Sequence, residues 1–149
     1  IRAGGEAATA TITFSGVPAA DETIVIIDAR GTSKTYTAKG SETAASLQFN
    51  RASTAAAAAT SLKACMDHAN GHNGSIAVAD DGAGVLALTQ LHSGTIGHTT
   101  ITEGLANVTK TDFSGGTNEA GINDARWVTG LDARWTNRFD DRNYDGLAE

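Results

Sequence analysis

The chain has 149 residues, with 17 acidic against 11 basic side chains and a formal net charge of −6. That balance argues against a surface that coats nucleic acid by neutralising phosphates. No apolar run approaches the roughly 20 residues that a spanning helix requires, so no membrane partner is expected. A single cysteine, Cys65, excludes an internal disulfide framework and also any zinc ribbon or paired-thiol redox motif.

In chain order, Ala10-Thr11-Ile12-Thr13-Phe14 alternates apolar and polar, as a half-buried strand does. The turn Gly16-Val17-Pro18 follows it. Glu22 to Asp28 is a more continuous apolar run, suited to a strand covered on both faces. Lys34 to Ala38 adds an exposed strand beyond Gly31, and the three are expected to form an antiparallel meander. Ala45 to Phe49 reads as a further short strand. One helix is expected near residues 53–70, capped by Ser53 or Thr54, with Leu62, Cys65, Met66 and Ala69 as its apolar stripe and Asn70-Gly71 as its stop. Ser75–Ala79 and Gly84–Thr89 flank Asp80-Asp81-Gly82, a hairpin signal. Thr99–Thr102 and Ala106–Thr109 read as the last strands. The pattern predicts an α+β fold, a mostly antiparallel β-sheet domain with one packed helix, plus a C-terminal arm.

The arm is set off by composition. All four lysines lie before Gly115-Gly116, whereas four of the seven arginines and four of the eight aromatic residues lie from Thr117 onward. We therefore read residues 1–116 as a β-rich globular domain and 117–149 as an interaction arm. Asp124-Ala125-Arg126-Trp127 recurs as Asp132-Ala133-Arg134-Trp135. On a helix, Trp127, Leu131, Trp135 and Phe139 would make one apolar stripe, with Arg126 and Arg134 beside it. Trp and Arg are the residue types that anchor interfaces. The stripe suits either a helix folded back on its own domain or an arm docked into a neighbouring subunit.

Other constellations carry less chemistry. Cys65 sits on the expected apolar stripe, which suits a buried, inert thiol. Asp81-Gly82-Ala83-Gly84 lacks the Gly-Lys-Ser/Thr of a phosphate loop and reads as hairpin glycines. His68 and His72 are spaced i, i+4, but Gly71 interrupts the helix between them, so a solvated helix end is expected rather than a metal pair. His92 and His98 are expected in a loop. Asp141, Asn143, Asp145 and Gly146 have the spacing that opens a calcium loop. The bidentate carboxylate of position 12 would fall past Glu149, so a plain acidic turn is expected and no cofactor is assigned. No pair of titratable residues converges by spacing, and no enzymatic activity is expected.

Taken together, Ala10-Thr11-Ile12-Thr13-Phe14-Ser15-Gly16-Val17-Pro18 with Glu22-Thr23-Ile24, the Ala/Thr-rich segment from Thr54 to Leu62, Val85 to Gln90, Ser93 to His98 and Phe113 to Thr117 occur in the order found in a module of tailed-phage virion proteins. The chain resembles that module over roughly residues 7–117, with His98 in place of its Asn and nothing matching after Thr117. The resemblance implies a non-enzymatic virion component: a capsid decoration or cement protein, with a tail or fibre protein as the alternative. It also implies a homo-oligomer that contacts the major capsid protein or neighbouring virion subunits. A cellular surface filament subunit assembled by arm exchange is the reading from outside that family.

Overall fold

The computed structural model describes residues 4–51 and 53–118, of which Gly5–Asn118 form one compact unit. The opening alternation becomes strand β1, Ala7–Phe14, with Ala8, Ala10, Ile12 and Phe14 buried and the threonines between them facing outward. Strands β2 (Thr23–Ile27) and β3 (Ser33–Lys39) form an antiparallel hairpin. A 3-10 turn at Ala44–Ser46 leads into β4, Gln48–Asn50, which pairs with β3 in parallel. Helix α1, Ala55–Met66, is followed by the hairpin β5 (Ile76–Asp80) and β6 (Val85–Ser93), then by β7 (Thr102–Glu103) and β8 (Val108–Lys110). The fold is α+β, with one helix and two mostly antiparallel sheets, as the sequence predicts in class.

The strands divide differently from the expected meander. The first sheet has the order β5-β6-β1-β8 and the second β4-β3-β2-β7. β1 leaves β2 because it matches the longer β6, pairing from Ala7 opposite Ser93 to Thr13 opposite Val85. The link after Phe14 is also no tight turn. Ser15 donates its N–H to Asn107, Ala19 to the Glu22 carboxylate, and Asp21, at φ 69°, to Ala38. These bonds carry the chain from one sheet to the other.

The two inner faces and α1 enclose one core, where each large apolar side chain removed from water contributes about 1.5–3 kcal/mol. Phe14 of the first sheet meets Phe49 of the second edge to face, 6.3 Å between centroids. Gln90 joins the sheets at one end. Its amide oxygen accepts the Ala29 N–H at 2.9 Å, and its amide nitrogen donates to Ile27 O at 3.2 Å and to Thr99 Oγ1 at 3.3 Å. β2 is not covered on both faces as expected: Ile24 and Ile26 are buried, but Val25 and Ile27 on the outer side are only half-buried.

α1 is shorter than the expected 53–70. Thr54 caps it by accepting the Ala57 N–H on its side chain. The last turn ends at Met66, where the chain folds back so that His72 donates to Met66 O. Gly71 is needed for this close approach, since a Cβ there would lie 2.3 Å from Cys65 O. Ala69, past the helix end, is exposed instead of completing the apolar stripe. The β5–β6 turn takes the expected form. Asp81 accepts the amides of Ala83 and Val85 on one oxygen, and Gly84, at φ 107°, passes close beneath Phe14 O.

Candidate functional site

Histidine 72 overturns the expectation of a solvated helix end. It is 1% exposed, and its ring lies between Tyr36 and Thr32. Nε2 sits 3.2 Å from the Thr32 carbonyl, which can only accept, so Nε2 carries the proton. Nδ1 then accepts the Tyr36 hydroxyl at 2.8 Å. Burial holds the imidazole below its ordinary pKa, with Lys34 adding to the effect while the Thr32 carbonyl and Asp28 oppose it. Burial also drives the Tyr36 phenol up. For Asp28, burial acts upward, but the Thr32 and Arg30 amides and the nearby Ser75 hydroxyl hold the carboxyl below its usual range. His68 lies apart from this cluster and accepts the Asn70 N–H.

Cys65 is buried as expected. Its thiol donates to Gln48 O at 3.3 Å, and burial, with Glu42 adding to it, pushes its pKa up to about 11. That environment suppresses the thiolate a nucleophile would need. His92 lies within β6 instead of a loop. His98 does lie between strands, where its Nε2 accepts the Gly116 N–H at 2.9 Å, a role an Asn side-chain oxygen could also fill.

A groove of about 510 Å³ runs along α1, lined by Glu42, Asn50, Ala57, Thr60, Ser61 and Ala64. It holds a hydroxyl beside a carboxylate, but the geometry is structural. Ser61 donates to Glu42 at 2.6 Å and accepts the Asn50 N–H at 2.7 Å. No lining side chain could serve as an imidazole or amine base for that hydroxyl. Among the described residues, no group of three or more His, Cys, Asp or Glu could hold a metal ion, and no helix is long and apolar enough to cross a membrane.

The larger feature is the outer face of the first sheet. Ala79, Ala87, Thr11 and Thr111 form one row across it, the last two joined through their hydroxyls at 3.1 Å. Ala77, Thr89 and Thr9 form the next row. At the far end Leu91, 53% exposed, occupies another outward position. These positions carry no charge, although solvent-facing strand positions usually do. Asp81 stands at the β5–β6 turn and Glu6 before β1, whereas Asp80, opposite the buried Leu86, accepts the Thr60 hydroxyl of α1 at 2.6 Å on the other side of the sheet. Sequence reading placed the strands but missed this face. Its signal is present in the threonines and alanines that fill the polar phase of each alternation.

The chain leaves the described fold at the Leu91 end. Thr117 and Glu6 exchange backbone hydrogen bonds at 3.0 Å, and Asn118 accepts the Thr95 N–H at 3.2 Å, next to Ile96, which is 61% exposed. The arm residues Trp127, Leu131, Trp135, Phe139, Arg126 and Arg134, and the calcium candidates Asp141, Asn143 and Asp145, all lie outside the described residues. A scan against protein-family models, a search of curated proteins and a search of solved structures each found no match to this chain.

Proposed function

We propose that this chain is a non-enzymatic structural subunit of a phage particle, a decoration or cement protein of the capsid that works through contacts with its neighbours. The observation that carries the reading is the distribution of polar groups. The buried ones are occupied within the fold: Gln90 bridges the sheets, His72 lies between Tyr36 and Thr32, Asp28 holds its turn, and Ser61 closes β4. The broad outer face of the first sheet is neutral and built mostly from small side chains. With no charge to desolvate, such a surface suits flat packing against another protein. The virion context comes from the residue pattern over roughly 7–117. Contacts too small to persist singly hold when symmetry repeats them around a shell.

Mass spectrometry of purified particles, with heads and tails separated and copies per particle counted, tests the proposal. On the order of hundreds of copies in the head fraction is the expected result, because decoration follows the lattice symmetry. A few copies, or a signal confined to tails, would assign the chain to the tail or a fibre. Absence from particles would end the virion reading, and filaments formed by the purified protein would then favour a cellular surface subunit.

A further inference from the structure

We infer that the outer face of the first sheet is the seat for residues 119–149 of a second copy of this chain. The inference rests on the structural-subunit reading above and names the surface that receives the arm.

Three observations lead there. The first is the face itself. Alanine and threonine rows leave a shallow, uncharged floor about 26 Å long and 14 Å wide, from eight residues of β1 and four strand positions. Aromatic rings can lie flat on such a floor and cover methyl groups without displacing a charge. The second is the point where the described chain ends. The reciprocal Glu6–Thr117 bonds and the Asn118–Thr95 bond fix it at the end of the sheet that carries Leu91, with Ile96 adjacent. The following thirty-one residues, 119–149, contain both tryptophans of the chain. They could span roughly 100 Å if extended, or about 46 Å if helical. Either length exceeds the face, so the segment is long enough to extend beyond its own sheet. The third is composition. Residues 119–149 hold both tryptophans with Leu131 and Phe139, and Arg126 and Arg134 stand directly before the tryptophans, the residue types that anchor interfaces. Aromatic anchors laid on this floor desolvate no charge on it.

The area fits an arm better than a bare sheet-to-sheet dimer. A floor of this size offers roughly half of the 800 Å² per partner found in stable interfaces. An exchanged arm with two tryptophans, a leucine and a phenylalanine adds what the floor lacks, and each copy both gives and receives one.

Because Trp127 and Trp135 are the only tryptophans, tryptophan emission of the full-length protein reports on the arm alone. The experiment is a dilution series followed by emission and by sedimentation. The expected result is a blue shift that grows with concentration in step with sedimented mass. Leu91→Asp should move the midpoint to at least about tenfold higher concentration, since burying one large apolar side chain is worth that much in affinity. Ala87→Arg should act in the same direction and serves as a second variant if Leu91→Asp melts early. Thr35→Asp, on the exposed side of the second sheet, should leave the midpoint in place. Blue emission unchanged on dilution would mean that the arm packs on its own chain and would overturn the inference. So would a midpoint indifferent to both face variants, or emission that stays red at every concentration. None of these outcomes bears on copy number in particles, so this inference can fail while the structural-subunit reading stands.

Discussion

The two sheets have four strands each but end differently. In the second sheet the edge strand β4 is closed from within: α1 lies along it, Ser61 accepts the Asn50 N–H, and the Cys65 thiol donates to Gln48 O. In the first sheet the edge strand β5 has another geometry. Ser75 accepts from Leu91 and Asp81 donates to Val85, so the odd-numbered residues bond to β6 and the N–H and C=O of Val78 point away from it. An outward edge of this kind is a template for another chain unless it is shielded. The contrast indicates a division of labour in which the helix caps the backbone of the β4 edge, whereas at β5 it meets the Asp80 side chain through Thr60 and leaves the Val78 backbone facing outward.

The largest test of this comparison lies where the sheets meet. Phe49→Ala removes the ring that Phe14 packs against, and it should cost about 3–5 kcal/mol of unfolding free energy in urea titration. A loss below about 1 kcal/mol would show that the site collapses around the cavity and that the aromatic pair does not couple the sheets. Gln90→Leu is the next. It keeps the side-chain size but leaves the half-buried Ala29 N–H without its acceptor, for an expected cost of about 1–3 kcal/mol. Ile27 O retains the Thr99 hydroxyl at 2.6 Å, so combining Gln90→Leu with Thr99→Ala should cost more than the sum of the two single changes.

Ser61→Ala addresses the sealed edge directly. It should cost about 1 kcal/mol, because the Asn50 N–H loses its acceptor in a half-buried position. Amide exchange at Asn50 should quicken more than exchange in β1. Equal acceleration in both strands would mean that the helix supports the whole core and does not specifically close β4.

How much of this was legible in the sequence follows from the range of each interaction. Local signals were sufficient for the β1 alternation, the Thr54 cap, the Asp81 turn and the buried Cys65, all set by residues within a few positions. The partition into two sheets was not legible. Alternation says that a strand has an inside, but not that Ala7 will lie opposite Ser93. His72 failed for the same reason: its partners, Tyr36 and Thr32, are 36 and 40 residues away. The helix end was misplaced because Gly71 works by close approach to Cys65 O and not as the residue next to the last turn. Of the candidate site, the arm was marked by its composition, whereas the face became visible only when strand pairing placed the alanine and threonine rows side by side.

The smallest effect distinguishes the sheets by pH. Tyr36 of β3 holds the neutral His72, which lies in the turn before β5, with Asp28 of the β2–β3 turn nearby, whereas the buried polar side chain of β6 is the uncharged Gln90. Since burial lowers the His72 pKa in the fold, the unfolded chain binds the proton first. Stability is therefore full above about pH 6.5, the ordinary histidine value, and falls as the pH drops below it. Asp28 stays ionised through this window, because its own pKa is lowered, and its charge tempers the loss while Lys34 adds to it. For one proton, the loss between pH 7 and pH 6 is at most about 0.7 kcal/mol. Protonation also removes the acceptor for the Tyr36 hydroxyl, so exchange in β2 and β3 should quicken before exchange in β1 and β6. Tyr36→Phe should lower stability at pH 7 by about 1 kcal/mol and flatten the acid response, since the hydrogen bond that favours the neutral ring is gone. An acid response that persists in His72→Gln would remove His72 as its source, and one equal in both sheets would return them to a single cooperative unit.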